Sequence, residues 1–261
     1  MKHVFSIVFC SLIMLNTLWA QDFAAFEKEQ LIHRGDTLPY RILYPDNYNP
    51  QASYPVLLFL HGAGERGNDN EQQLINGARL FLQDSVRAAF PAIIIFPQCP
   101  TNSFWSNVDI QSSPATGLEF NFQTQGKPTT AMALLLRLVK QIRKLETVDQ
   151  QRIYIGGLSM GAMGTYELLR RQPNVFAAAF AICGGDHTMN VKKYRHVPLW
   201  IFHGEQDNIV PASHSHALVD ELWRLRTSPK ATFYPTANHN SWDNAFAEPE
   251  LLPWLFAQSK K

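Results

Sequence analysis

Six short apolar segments, each of strand length, alternate along the chain with segments of helical spacing. The apolar segments lie at 55–60, 92–96, 152–155, 175–183, 198–202 and 231–234, and the helical ones at 71–81, 129–144, 161–171 and 213–226. Segments that are apolar at consecutive positions are typical of strands buried on both faces. The alternation therefore predicts an α/β fold, in which a mainly parallel, twisted sheet carries helices on both faces.

Two other segments depart from this alternation. Residues 38–44 carry an apolar alternation behind the turn-like Arg34-Gly35-Asp36, which predicts an N-terminal antiparallel hairpin. Residues 100–128 lack clear periodicity, are rich in Ser, Asn and Gln, and exceed the usual length of a loop. We expect this long segment to be an irregular insertion that faces the substrate.

Size and charge limit the classes of function. A chain of 261 residues with 46% hydrophobic positions is long enough for one sizeable core, so we expect one catalytic domain over residues 21–261. The formal net charge is only +1 and no run of like charges occurs. The sequence thus has no basic footprint for nucleic acid, and it does not specify an oligomeric state.

The first twenty residues are typical of a signal peptide. Lys2 and His3 precede an apolar segment that begins at Val4, and a small residue, Ala20, precedes Gln21. The apolar part is shorter than the roughly 20 residues that a spanning helix needs. We therefore expect residues 1–20 to be removed on export to the periplasm or the medium, with no stable membrane span; an uncleaved anchor is the alternative.

Removal of this leader leaves two cysteines, Cys99 and Cys183. Each follows a different apolar segment, and a disulfide forms only where the two Cα atoms come within about 7 Å. We therefore favour two buried free thiols. Neither cysteine has the basic surroundings that would make it a nucleophile.

The strongest chemical signal is Gly157-Leu158-Ser159-Met160-Gly161. It follows a strand-like segment and precedes a helical one, which is the context that a G-x-S-x-G nucleophile turn requires. Such a turn strains the backbone of the serine and leaves no room for side chains at the flanking glycines. We predict that Ser159 is a nucleophile exposed at the start of a helix; a helix entry with an ordinary capping serine is the alternative.

A serine nucleophile needs a base and an orienting acid, which follow it in the order acid, histidine in this type of fold. Asp207 lies after the strand-like 198–202, and we prefer it to Glu205 because it stands in an Asp-x-x-Val-Pro segment. His239 follows the last strand-like segment. We predict that Asp207 and His239 complete a triad. The other histidines lack this position: we expect His214 and His216 on a helix surface and His203 as structural support for the acid loop.

The oxyanion formed during acyl transfer needs two backbone donors. One is the amide of Met160, directly after the nucleophile. The other is expected in the loop His61-Gly62-Ala63-Gly64, where we assign Ala63, with Gly62 as the alternative. We expect Glu65 and Arg66, which follow at once, to form an ion pair that holds this loop. Metal-ligand spacing such as His-Glu-x-x-His is absent from the sequence, so no metal is predicted.

These motifs resemble a known family. From about Tyr40 to the C-terminus the chain is similar to single-domain α/β-hydrolase esterases of the phospholipase/carboxylesterase type, related to polyhydroxybutyrate depolymerases and feruloyl esterases. The resemblance rests on four segments: His61–Gly67, Pro97–Pro100, Gly157–Gly161 and His239–Trp242. It implies the α/β-hydrolase fold, catalytic roles for Ser159, Asp207 and His239, and no cofactor. Asn240 departs from the Asp or Gly that often follows the histidine, which affects the subfamily.

The expected activity is hydrolysis of carboxylic esters through an acyl-enzyme. Aromatic residues near strand ends, above all Trp105 and Trp242 with Phe104 and Phe246 beside them, are candidates for a substrate-binding platform. Aromatic side chains around the site of an exported esterase favour a small-molecule or polysaccharide-linked ester, feruloyl or acetyl, as the substrate. The alternatives are a serine peptidase of the prolyl-oligopeptidase kind and a non-catalytic binding module on a hydrolase scaffold.

Overall fold

A central sheet of eight strands organises the protein. The computed structural model describes residues 23–113 and 117–260, so the predicted signal peptide lies outside the described residues. In chain order the strands are β1 (Glu27–His33), β2 (Asp36–Leu43), β3 (Tyr54–Leu60), β4 (Ile93–Pro97), β5 (Val108–Ser113), β6 (Gly117–Phe122), β7 (Val148–Leu158), β8 (Ala178–Ile182), β9 (Leu199–Gly204) and β10 (Lys230–Tyr234). The large sheet has the order β1-β2-β4-β3-β7-β8-β9-β10, and β5 pairs with β6 separately.

Strand directions agree with the prediction from the apolar segments. β1 and β2 form an antiparallel hairpin, and β2 pairs antiparallel with β4. All other neighbours in the large sheet are parallel. The mainly parallel sheet and the N-terminal hairpin are therefore confirmed. Parallel strands end at one edge of the sheet, and the loops that follow β3, β7, β9 and β10 meet there.

In the described part of the chain, eight α-helices cover the two faces of this sheet. They are α1 (Ala78–Phe81), α2 (Asp84–Ala89), α3 (Thr130–Ile142), α4 (Met160–Arg171), α5 (Val191–Tyr194), α6 (Ser213–Arg224), α7 (Trp242–Phe246) and α8 (Leu251–Phe256). One buried cluster joins the sheet to α3, α4, α5 and α6, and a second joins its other face to α1, α7 and α8. Helices on both faces are confirmed.

The helix α3 shows how the sequence sets a local boundary. The Thr129 hydroxyl accepts a hydrogen bond of 3.1 Å from the Met132 amide and caps the first turn. The apolar stripe, which includes Leu134 and Leu138, is buried against the sheet. Leu145, three residues beyond the end of the helix, is 51% exposed. The buried stripe therefore ends with the helix, at Ile142.

Two local predictions are wrong. Residues 71–81 form a short 3-10 turn (Gln72–Leu74) and the four-residue α1, not one helix. Gly77 separates these pieces because its φ of 94° is left-handed. The long segment 100–128, expected to be irregular, contains the β5–β6 hairpin.

The two cysteines are buried and unbonded, as expected. Cys99 follows β4 and Cys183 follows β8, and two strands, β3 and β7, lie between these in the sheet. Burial raises the pKa of the Cys99 thiol to about 12, and burial also raises that of Cys183. Both sulfurs are thus protonated thiols. Within 23–113 and 117–260, no helix has the length and apolarity to cross a membrane.

Candidate active site

The turn between β7 and α4 holds Ser159 in a strained conformation. Its φ of 52° and ψ of −119° are outside the regions that residues with a side chain prefer. A Cβ on Gly161 would lie 1.9 Å from the Leu60 carbonyl oxygen, and one on Gly157 would lie 2.4 Å from the Gly161 carbonyl oxygen. Only glycine fits at these two positions. The tight turn places the serine hydroxyl above the sheet edge, at the N-terminus of α4.

Three side chains from three loops form a continuous hydrogen-bonded chain. His239 Nε2 lies 3.0 Å from Ser159 Oγ. His239 Nδ1 lies 2.7 Å from Asp207 Oδ2, and since a carboxylate only accepts, Nδ1 carries the proton. Nε2 is then free to accept the serine proton. The structure brings together the three residues that the sequence singled out, in the geometry of a nucleophile, base and orienting acid.

Hydrogen bonds keep the Asp207 carboxylate ionised. Its side chain is fully buried, and burial alone would raise its pKa. Donors outweigh that effect: His203 and His239 at Oδ2, and the Ile209 and Val210 amides, each 2.9 Å from Oδ1. The pKa of Asp207 is therefore held well below its usual range. Because the pKa of Asp207 in the folded protein lies below the ordinary carboxyl value of about 4, the ionised carboxylate stabilises the fold at pH values above about 4. This stabilisation is lost as the pH falls below that value.

A second histidine also contacts the acid. His203 is fully buried at the end of β9, with Nε2 at 3.2 Å from Asp207 Oδ2 and 2.8 Å from the Val210 carbonyl oxygen. Both neighbours only accept, so Nε2 carries a proton that it donates to them. Nδ1 lies 2.7 Å from Ser215 Oγ, which also lies 3.1 Å from the Gly184 carbonyl oxygen. The sequence suggested support by His203 but missed Ser215, whose burial depends on the docking of α6.

Replacement of His203 by asparagine should impair turnover more than substrate binding. His203→Asn removes the donor from Asp207 Oδ2 and frees the carboxylate to rotate away from His239. We expect kcat for p-nitrophenyl acetate to fall about tenfold to a hundredfold, as small misplacements of reacting groups do, with KM nearly constant and an altered pH profile. Steady-state kinetics between pH 5 and 9 would measure this. His216→Asn, an exposed change on α6, is the control; unchanged kcat in His203→Asn would refute the positioning role.

The loop after β3 lies directly beside the nucleophile. A Cβ on Gly62 would lie 3.7 Å from Ser159 Cβ. Ala63 begins a 3-10 turn (Ala63–Glu65), and Met160 is the first residue of α4. The first amides of a helix have no partner inside it, so the amides of Ala63 and Met160 are placed as candidate oxyanion donors. Their role in binding an oxyanion stays a prediction.

His61 supports this loop from below. Its Nε2 accepts a 2.9 Å hydrogen bond from the Cys99 amide, and its Nδ1 lies 2.7 Å from the Gly62 carbonyl oxygen, to which it must donate. Both ring nitrogens are satisfied in one neutral tautomer. Burial lowers the pKa of His61 to about 4. His61 therefore links the loop after β3 to the backbone that follows β4.

The expected ion pair between Glu65 and Arg66 is wrong. Arg66 donates to three backbone carbonyls, among them Ala63 at 3.0 Å and Thr101 at 3.2 Å. Glu65 instead accepts a 3.0 Å hydrogen bond from Asn76 Nδ2. The two side chains still hold the loop, but each does so through its own partners.

The two predicted platform residues differ in their surroundings. Trp105 is 0% exposed: it packs edge-on against His61, with 5.4 Å between ring centroids, and against Gly164 of α4. Its burial corrects the expectation that it contacts substrate; it fills the core beneath the loop after β3. Trp242 is half-buried, and its ring meets that of His239 edge-on at 5.6 Å. Trp242 remains a candidate for substrate contact.

Cys183, His214 and His216 lie near the triad but are not part of its hydrogen-bonded chain. The Cys183 sulfur lies within 4.8 Å of ligand atoms of Asp207 and His239, but it is a buried, protonated thiol. His216 is exposed and pairs with Glu205 at 3.1 Å, as a surface histidine does. His214 is half-buried against Phe122, with 5.3 Å between the ring centroids, so it departs from the predicted surface position.

A family model supports the architecture. The model described as phospholipase/carboxylesterase, within the α/β-hydrolase class, matches residues 48–248. The solved structure of a thermostable esterase superimposes with a TM-score of 0.80 at 33% identity, over 91% of this chain and 64% of that one. Together with the sheet order, these matches show that the fold is the α/β-hydrolase fold.

Two curated relatives have names that give an activity. The bifunctional acetylxylan esterase/xylanase of Neocallimastix patriciarum is 30% identical over 168 residues, which are 64% of this chain and 21% of that protein. The protein named "Probable feruloyl esterase C" of Aspergillus oryzae is 24% identical over 156 residues, 59% of this chain and 49% of that protein. The chain thus spans about half, or less, of the length of the relatives that it matches.

Proposed function

The chain belongs to the phospholipase/carboxylesterase family, and from this premise we propose that it is a serine esterase that hydrolyses carboxylic esters. One observation carries the proposal: Ser159 Oγ, His239 Nε2 and Nδ1, and Asp207 Oδ2 form a chain with spacings of 3.0 and 2.7 Å. All three groups are present, which argues against a binding module that has lost its chemistry.

Acylation follows from this geometry. As Ser159 Oγ attacks the ester carbonyl carbon, its proton passes to His239 Nε2, which has a free lone pair. The negative charge that forms on the carbonyl oxygen is stabilised by the amides of Ala63 and Met160. Asp207 accepts from Nδ1 and stabilises the imidazolium. The leaving alkoxide then takes the proton from Nε2, and the acyl group stays on Ser159.

Deacylation repeats these steps with water. His239 Nε2 takes a proton from a water molecule as the water oxygen attacks the acyl carbon, and the same two amides hold the second oxyanion. The proton then returns from Nε2 to Ser159 Oγ as the carboxylic acid leaves. No other group is required, since the base, its orienting acid and both donors are side chains or amides of this chain.

Plant-polysaccharide esters, acetyl or feruloyl, are the proposed substrates. The relatives named for acetylxylan and feruloyl esters support this choice, and the half-buried ring of Trp242 beside His239 offers a flat apolar surface for an acyl or sugar group. We further propose that residues 21–261 form one catalytic domain and that the enzyme acts after export, as the signal-like residues 1–20 indicate.

A panel of four substrates tests the activity. We expect hydrolysis of p-nitrophenyl acetate, of methyl ferulate and of acetylated xylan, and we expect kcat/KM for p-nitrophenyl acetate to exceed that for a prolyl peptide by more than about a hundredfold. The reason is that an alkoxide or phenolate leaves more readily than an amine. Initial rates measured side by side at one enzyme concentration decide between the two. Activity on the peptide alone would establish a peptidase.

A further inference from the structure

The β5–β6 hairpin has one apolar and one polar face. Val108 lies opposite Phe122, Ile110 opposite Phe120, and Ser112 opposite Leu118. Alternate residues of a strand point to the same side, so these six share a face that holds no charged residue. The rings of Phe120 and Phe122 stack there with 6.1 Å between centroids. The charged residues of the pair, Asp109 and Glu119, lie on the other face.

The base of this hairpin is fixed to the helix that follows the nucleophile. Glu167 of α4 accepts hydrogen bonds from the Asn107 amide and the Ser106 hydroxyl. One turn further, Arg170 donates a 3.0 Å hydrogen bond to the Thr124 carbonyl. Because α4 begins directly after Ser159, these bonds hold the hairpin in a defined position relative to the nucleophile.

Two glycines connect the nucleophile to the apolar face. A Cβ on Gly184 would lie 3.1 Å from the Ser159 carbonyl oxygen, and one on Gly185 would lie 3.0 Å from the Phe122 ring. The backbone of Gly184 and Gly185 therefore lies between the Phe122 ring and the main chain of Ser159. The Phe122 end of the apolar face thus adjoins the backbone segment that contacts the Ser159 main chain, and the face continues outward along the two strands.

The outer half of this face is exposed. Ile110 is 37% exposed and Leu118 is 36% exposed. Strands rise about 3.4 Å per residue, so Leu118 lies roughly 14 Å beyond Phe122. An acyl group bound to Ser159 spans about 10 Å at most, even for feruloyl, from its bond lengths. The outer half is thus beyond the reach of the acyl group and within reach only of a long alcohol part.

We propose that the outer half of this face binds the polymeric alcohol of the substrate, a neutral chain of sugar rings. This outer half consists of the exposed Ile110 and Leu118 and the half-buried Phe120, whose ring meets that of His214 edge-on at 5.8 Å. A sugar ring packs the C–H groups of its flat side on apolar and aromatic side chains, and the absence of charge on the face favours a neutral polymer over an anionic one. The inference rests on the proposed ester hydrolysis and adds to it the surface that selects a polymer.

The double substitution Ile110→Ser with Leu118→Ser tests this surface in the full chain. The readout is the ratio of two rates, acetate release from acetylated xylan and hydrolysis of p-nitrophenyl acetate. We expect this ratio to fall about five- to tenfold, because two apolar contacts with the polymer are lost. Ile32→Ser is the matched control, since Ile32 is 63% exposed on β1 at the far edge of the sheet. A ratio that stays within twofold of the control would overturn the proposal.

A binding measurement separates this inference from the esterase itself. Ser159→Ala protein, which cannot turn over, is sedimented with insoluble acetylated xylan, with and without the two hairpin substitutions. If Ser159→Ala protein sediments with the xylan and the two hairpin substitutions abolish this, the result supports polymer binding by the hairpin, even if the wild type hydrolyses no ester. Failure of Ser159→Ala to bind overturns the surface, even if every ester is hydrolysed. Light scattering would measure the oligomeric state of both proteins. A dimer that dissociates on the double substitution would overturn the proposal and show that the face binds a second copy of the chain.

Discussion

Ser159→Ala is expected to lower kcat for p-nitrophenyl acetate by about 10⁴- to 10⁶-fold and to abolish labelling by a fluorophosphonate. In the proposed mechanism the Ser159 hydroxyl forms the bond to the acyl carbon, and its proton is the one that His239 Nε2 takes up. Residual hydrolysis above the rate in water would come from the two oxyanion donors acting on a direct attack by water. Burst kinetics with active-site titration would measure the loss.

The fold should survive this substitution. Alanine keeps the Cβ of Ser159 at the same φ of 52°, so the strain of the turn is unchanged. Thermal unfolding should therefore give a midpoint close to that of the wild type. Ser213→Ala, an exposed serine at the start of α6, serves as the control for labelling. Labelling that persists in Ser159→Ala would mean that another residue is the nucleophile and would refute the proposed mechanism.

The strands could be predicted where the apolar pattern is continuous. Residues such as Leu58 and Ile155 are buried on both sides of a parallel sheet, and only uninterrupted apolar sequence satisfies that condition. β7 is longer than its apolar part because Val148 pairs with Tyr54 at the start of β3, before a register shift that spans the polar residues 149–152. Backbone pairing of that kind leaves no mark in the side chains.

The hairpin in 100–128 had a signal that composition obscured. Leu118, Phe120 and Phe122 alternate with polar residues, which is the spacing of a half-exposed strand. The many Ser, Asn and Gln residues around them made the segment resemble a loop. The structure resolves this conflict, because the tertiary contacts of Phe122 with Gly185 and His214 stabilise the strand pair.

The triad residues could be predicted from the order of strand ends, and so could support of the acid loop by His203, but not the atoms through which His203 acts. Ser159, Asp207 and His239 each follow a strand of the parallel sheet, and such strand ends meet at one edge. The fate of an aromatic residue in a loop depends on packing that no local pattern records: Trp105 is covered by His61 and α4, and Trp242 is not. The contact of His203 with Asp207 likewise depends on the path of the acid loop.

Asp207→Asn should cost about 10⁴-fold in kcat, the loss expected when the base is held in the wrong tautomer. Oδ2 accepts from His239 and His203, and Oδ1 accepts from the Ile209 and Val210 amides. An asparagine has one carbonyl oxygen and one NH₂ group for these two sets of donors. If the NH₂ faces the imidazoles, His239 must present a lone pair at Nδ1, and its proton moves to Nε2, where it blocks the serine. If the NH₂ faces the amides, donors oppose donors in a buried site.

Either orientation has a measurable consequence, so kinetics and stability together identify the cause. In the first, kcat falls through the wrong tautomer, while the His203 Nε2–H keeps the Val210 carbonyl as its acceptor. In the second, the tautomer is kept and the unfolding midpoint falls, because the Ile209 and Val210 amides lose their acceptor. The control is Glu205→Gln, which changes the exposed carboxylate two residues earlier that pairs with His216 at 3.1 Å. We expect kcat of this control to stay within about twofold of the wild type, since exposed ion pairs contribute little. If Glu205→Gln were the variant that lost activity, the orienting acid would be Glu205, and the hydrogen bond from His239 Nδ1 to Asp207 would have no catalytic role.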